Sequence, residues 1–291
     1  MFGALHLIHA ICGRKMCSAS NPGNQFTDGN QTGMITSHHN PKLKLIRALA
    51  GRPKERREAG AFLAEGVRLV EDACLADWPF QFVLYSEETS NRGKKLVEQL
   101  RERGVDVEEV KADILRNAGE TEASQGLVAV LKLESLPLPV GVNFVLIPDQ
   151  IRDPGNLGTL IRTAAAAGAQ AVLIPPETVD PFAPKVVRAG MGAHFRLPIC
   201  GMDWQEIRDY LRGVSAFLAD TQGETACWNA DFRQPLALIV GGEADGASQP
   251  ARNLANIVVN IPMPGKIESI NAGVAGAVLM FEIVRQRSEA Q

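Results

Sequence analysis

Apolar and polar positions alternate along this chain in two rhythms. From Ala61 onward, short Val-, Leu- and Ile-rich runs are separated by stretches whose apolar residues recur every three to four positions. The first rhythm suits buried strands and the second suits amphipathic helices. The pattern predicts strands over 61–65, 80–85, 105–110 and 126–131, with helices over 67–76, 91–103 and near 112–117. It then predicts strands over 142–148, 169–174, 195–200, 214–220, 235–240 and 256–261, and helices over 157–167, 183–189, 204–212 and 269–287. Short apolar strands alternating with helices of this length predict an α/β fold whose second half is a mostly parallel sheet with helices on both faces.

The segment 134–141 carries Pro137, Pro139 and Gly141, which mark a linker. It divides the chain into a small α/β domain over 41–133 and a larger one over 142–291. Residues 1–40 show neither period and read as a disordered leader or an over-long start, with Met34 as an alternative first residue. The apolar run 2–12 is too short to span a bilayer, no later run reaches about 18 residues, and no membrane span is predicted. An organelle presequence is a minor alternative for the leader.

A formal net charge of -3 excludes a protein that is basic throughout. Locally, 41–59 concentrates Lys42, Lys44, Arg47, Arg52, Lys54, Arg56 and Arg57 against only Glu55 and Glu58. Such a patch either faces phosphates or is a solvated helical face. The five cysteines are scattered without C-x-x-C spacing, which favours reduced thiols in the cytoplasm. Four of the histidines lie in the leader and His194 stands alone in an apolar segment, so no metal site is predicted.

Ligands of open α/β sheets bind beyond the carboxyl ends of the strands, which directs attention to the loops after Pro148, Val240 and Ile261. The first runs Asp153-Pro154-Gly155-Asn156-Leu157-Gly158 and places Arg162 in an otherwise apolar helix, where a buried guanidinium would need acceptors. Asn156 suits a helix cap. The second, Gly241-Gly242-Glu243-Ala244-Asp245-Gly246, has glycines that admit close backbone approach and an acid that can hold the loop. The third, Ile261-Pro262-Met263-Pro264-Gly265 followed by Ser269-Ile270-Asn271, is a stiffened turn into the last helix, for which Ser269 or Asn271 is a ready cap. Neither a dinucleotide fingerprint nor a phosphate-binding loop is present.

Together these three segments, in this order over about 140 residues, resemble the motifs D-P-x-N-x-G-x-x-x-R, G-x-E-x-x-G and I-P-M-x-G-x-x-x-S-[LI]-N of the SpoU/TrmH branch of the SPOUT methyltransferases. The segments 62–66 and 124–130 resemble the N-terminal RNA-binding domain of the same family. The resemblance implies a deep trefoil knot that holds S-adenosyl-L-methionine, a homodimer formed through the C-terminal domain, and methylation of a ribose 2′-hydroxyl in ribosomal or transfer RNA. It further implies Arg162, Asn156, Ser269 and Asn271 as catalytic residues, with Gly241, Ile261 and Ile270 against the cofactor. Glu243, Gly246 and Gly265 would support the loops, and Arg52, Lys54, Arg56 and Arg57 would meet RNA. Gly273 and Gly190 stand where serine is common in the family, and an RNA-binding protein that has lost catalysis is the alternative.

Overall fold

The computed structural model describes residues 34–118, 125–242, 246–265 and 267–289. The chain separates into two compact units: one runs to Glu134 and takes in Phe182–Arg188, and the other comprises Ser135–Pro181 with Ala189–Gln291.

The N-terminal unit is built on a four-stranded sheet of β1 (Ala61–Glu65), β2 (Phe80–Tyr85), β3 (Val107–Glu109) and β4 (Leu127–Lys132), in the order β1-β4-β2-β3. β4 runs antiparallel to both β1 and β2, and β3 lies parallel to β2. All five residues of β1 are buried, because the sheet is covered on both faces. Part of that cover is the helix Pro41–Ala50, which the run of basic residues concealed in the sequence. Its Leu43, Ile46 and Leu49 are fully buried against Ala61, Leu63 and Val128, while its lysines point outward.

One basic residue of that region does not. In the following helix, Pro53–Ala59, the Arg56 side chain is buried and its Nη1 donates to the carbonyl oxygens of Leu49 (2.6 Å) and Gly51 (3.1 Å). Arg56 therefore fastens two helices together, and its assignment as an RNA contact is corrected. Lys42 is likewise engaged by Asp106 and Glu108. Arg52, Lys54 and Arg57 are exposed.

The C-terminal unit is a seven-stranded sheet in the order β7-β6-β5-β10-β8-β11-β9, in which every pairing is parallel. Its strands are β5 (Phe144–Asp149), β6 (Ala171–Ile174), β7 (Ile199–Gly201), β8 (Ser215–Ala219), β9 (Thr225–Ala226), β10 (Leu236–Gly241) and β11 (Ile257–Asn260). Val145, Ile147, Leu218, Ala237 and Ile239 fill its interior without exposure. The strand expected over 195–200 begins only at Ile199, because a 3-10 turn occupies Ala193–Phe195 and Pro198 follows it. Two short elements, β9 and the helix Gln249–Leu254, carry too few periodic positions to be read from sequence.

Two features fix the site. Register pairs Gly241 with Asp149 and Val240 with Ala219, and Ala219 with Val259, so the carboxyl ends of four neighbouring strands come level. The last helix, Ala272–Ser288, packs on Pro154–Ala166 so closely that a Cβ at Gly276 would stand 2.3 Å from Leu160 Cδ2. That contact brings the first and third loops together.

Candidate active site

Asp153 caps the helix Pro154–Ala166, accepting from the Asn156 backbone N-H at 2.8 Å through its side chain. The cap is thus Asp153 and not Asn156, which sits half-buried in the first turn. There it meets the third loop: Asn271 Nδ2 donates to Asn156 Oδ1 at 2.9 Å. The other end of the same Asn271 amide accepts from the Val274 backbone N-H at 3.2 Å and caps the last helix. A single side chain is both cap and bridge.

The second loop is shaped by steric necessity. A Cβ on Gly241 would lie 2.7 Å from the Ala247 nitrogen, and one on Gly242 would lie 2.5 Å from the Gln150 carbonyl oxygen. Gly246 has φ +68°, a conformation that side chains other than glycine rarely adopt. Glu243 lies outside the described residues. Gly265 sits in an exposed turn where a Cβ would touch nothing, so packing does not demand a glycine there.

Between the second and third loops is a cavity of about 300 Å³, lined in part by Gly241, Gly246, Ile261, Ser269 and Ile270. The three residues expected at the cofactor, together with one loop-support and one catalytic residue, therefore share one wall. Its size is at the lower end of small-ligand sites, and its lining mixes aliphatic side chains with backbone edges.

Arg162 is placed elsewhere. Six residues beyond Asn156, it lies about 120° around the helix. It is exposed, not buried as the apolar surroundings suggested, and among the described residues nothing pairs with it.

Sequence reading missed the polar support of this wall. Asp149, which ends β5, is completely buried and accepts from the Ser248 backbone N-H (2.6 Å) and Ser248 Oγ (3.1 Å). Burial raises its carboxyl pKa above the ordinary value, and the two bonds from Ser248 partly offset that rise. Ser248 in turn caps the helix Gln249–Leu254 by accepting from the Ala251 N-H. A lone carboxylate ending an apolar strand was the signal available for Asp149. Asp220 and Arg252 also line the cavity, and nothing in the sequence pattern marks them.

His194 is buried with Nε2 2.8 Å from the Pro181 carbonyl oxygen, and desolvation lowers its pKa to about 4. It is a packed residue and is not among those that line the cavity. Among the described residues no cluster of His, Cys, Asp or Glu could hold a metal ion, and no helix is long and apolar enough to cross a membrane.

Residues 143–281 match the SpoU rRNA Methylase family, and residues 40–129 match the MRM3-like substrate binding domain. The 23S rRNA (uridine(2479)-2′-O)-methyltransferase of Streptomyces viridochromogenes is 34% identical over 87% of this chain and 92% of its own length. The 23S rRNA (guanosine(2553)-2′-O)-methyltransferase RlmP of Bacillus subtilis is 32% identical over 86% of this chain and 98% of its own. Among solved structures, the SpoU methyltransferase AviRb from Streptomyces viridochromogenes in complex with AdoMet superposes with a TM-score of 0.77 at 31% identity, covering 86% of this chain and 98% of that one. With a cavity at the level carboxyl ends of a parallel sheet, lined by the segments that follow β8, β10 and β11, and relatives matched over nearly their whole length, the chain belongs to the SpoU rRNA methylase family.

Proposed function

We propose that the protein methylates a ribose 2′-hydroxyl of ribosomal RNA, using S-adenosyl-L-methionine. The observation that carries this reading is the cavity wall that gathers Gly241, Ile261 and Ile270 beside the Asn156–Asn271 bridge. Aliphatic side chains and backbone edges there fit a nucleoside, and S-adenosyl-L-methionine bound among them would supply an electrophilic methyl on sulfur.

The protein's own residues then serve the oxygen nucleophile. A ribose hydroxyl reacts poorly until the charge developing on its oxygen is stabilised and the oxygen is aligned. Arginine stays protonated at any working pH, so Arg162 acts as an electrostatic partner for that oxygen or an adjacent phosphate, not as a base. Its exposed guanidinium suits a partner that arrives from solution. Asn156 is held by Asn271 through its Oδ1 at the edge of the site, and Ser269 on the wall positions the ribose.

Several finer features belong to the same proposal. A trefoil knot is supported by strand order: β8 and β9 are joined by only residues 220–224, yet β11 lies between them. A homodimer through the C-terminal domain is supported by Val274 and Phe281, seven residues apart on the last helix and each about half exposed (51% and 52%). RNA contact by the domain over 41–133 is supported by exposed Arg52, Lys54 and Arg57. A cytoplasmic location is supported by the scattered spacing of the cysteines along the sequence.

Transfer of tritiated methyl from S-adenosyl-L-methionine into ribosomal RNA, followed by mapping of the label, tests the reading. Label is expected on a ribose 2′-oxygen, and Arg162→Ala is expected to lower the rate at least about 100-fold, the scale of losing one preorganised oxyanion partner. Label in a base or in protein refutes the reaction class.

A further inference from the structure

The cavity wall carries charge in one place. Among its described lining residues only Asp220 and Arg252 are ionic, and Arg252 Nη2 lies 2.7 Å from Asp220 Oδ2. The carboxylate is nearly enclosed, with its side chain 11% exposed, while that of Arg252 is 42% exposed. An enclosed carboxylate is costly to desolvate, and an ion pair of this kind is not a reliable source of stability. Its position at a ligand cavity needs another account.

Both members have unused capacity in a defined direction. Asp220 Oδ2 is held by Arg252, and Oδ1 accepts from the Gln222 backbone N-H at 2.9 Å. A carboxylate offers about four acceptor positions, so each oxygen can take a further donor. Arg252 uses one of five N-H donors on Asp220. Both are also fixed from behind. Asp220 begins the turn that crosses β11, where its backbone N-H donates to the Val259 carbonyl and its own carbonyl accepts from Gly223. Arg252 sits on the helix capped by Ser248, whose backbone carbonyl accepts from the Arg252 N-H and which Asp149 anchors from the buried end of β5. One fixed anion and one fixed cation, side by side and each with free valences, complement a ligand end that carries an ammonium and a carboxylate on the same carbon.

We infer that Asp220 and Arg252 form the subsite for the amino-acid end of the cofactor, Asp220 accepting from its ammonium and Arg252 donating to its carboxylate. This rests on the reading that the cavity takes S-adenosyl-L-methionine, and it assigns the pair that distinguishes it from a plain nucleoside. Asp149 and Ser248 are positioning residues for Arg252.

Calorimetric titration of the full-length protein with three ligands tests the assignment. S-adenosylhomocysteine carries both charges, S-adenosyl-3-thiopropylamine keeps only the ammonium, and 5′-methylthioadenosine has neither. Asp220→Asn is expected to weaken the first two about tenfold or more, the scale of one charge-assisted hydrogen bond, and Arg252→Gln to weaken only the first. Both variants should bind 5′-methylthioadenosine within about twofold of wild type, which also certifies that the cavity is folded. Arg252 is half-exposed on a capped helix, so its variant decides the matter even where Asp220→Asn is unstable. Equal weakening of all three ligands, or weakening of none, overturns the assignment while leaving the cofactor reading intact. Failure of wild type to bind any of them overturns both.

Discussion

Asn271 has two jobs that a substitution can separate. Its Oδ1 caps the last helix and its Nδ2 bridges to Asn156. Asn271→Ser keeps a good capping hydroxyl but is too short to reach Asn156, whereas Asn271→Ala removes both. Loss of the cap costs about 1 kcal/mol. The bridge joins groups that are exposed or half-buried, so its loss adds at the lower end of the range for a neutral hydrogen bond, about 0.5 kcal/mol. Urea unfolding should therefore place Asn271→Ser within about 0.5 kcal/mol of wild type and Asn271→Ala about 1.5 kcal/mol below it. Catalysis should order the variants differently. If the bridge holds Asn156 where the ribose must lie, both variants misplace it alike, and single-turnover methylation falls about 10- to 100-fold in each. Wild-type turnover by Asn271→Ser would refute the reasoning, since the side chain would then be a cap and nothing more. Turnover that follows stability, with Asn271→Ala slow and Asn271→Ser fast, would refute it equally.

Burial holds His194 neutral with a folded pKa of about 4, below its ordinary value of 6.5. Its contribution is intact above pH 6.5 and is lost as pH falls toward 4, at about 1.4 kcal/mol per pH unit, because only the unfolded chain gains the proton; His194→Gln should flatten this slope in denaturant titrations at pH 7 and pH 5. Arg56→Ala orphans two carbonyl acceptors and should cost about 2–3 kcal/mol in thermal or urea unfolding, while Arg57→Ala should be nearly silent. Replacing Arg52, Lys54 and Arg57 together with Gln should weaken RNA binding and reduce the slope of log affinity against log salt by about two in filter-binding assays; an unchanged slope would remove the patch from the interface.

The strands and long helices of both units were legible because their apolar positions repeat at the periods of the elements that bury them. Helix Pro41–Ala50 was not, since its three core residues are interleaved with the basic residues that drew attention as a patch. Arg56 shows the corresponding hazard at a single position. Composition gives its charge, but only the carbonyls of Leu49 and Gly51 reveal that the charge is spent inside. At the site, Gly241, Ile261 and Ile270 were found because they lie in motifs with fixed spacing. Asp149, Ser248, Asp220 and Arg252 were not, because they act through contacts spanning up to about a hundred residues, and strand register alone brings them into reach. The error over Arg162 has the same root. An apolar helical neighbourhood does not say which face a residue occupies, and Arg162 occupies the exposed one.

The insertion of β11 between β8 and β9 ties ligand binding to the completeness of the fold. Ala219, Gly241, Val259, Ile261 and Ile270 all line the cavity, and they are neighbours only when a strand from near the end of the chain lies between two joined by a five-residue turn. A form of the chain with β11 out of place lacks the part of the wall that Val259, Ile261 and Ile270 supply. Cofactor binding is therefore a report of completed folding: a ligand selective for the assembled wall stabilises only finished molecules, by mass action. A chain without that insertion could keep most of its sheet and yet be blind to its ligand.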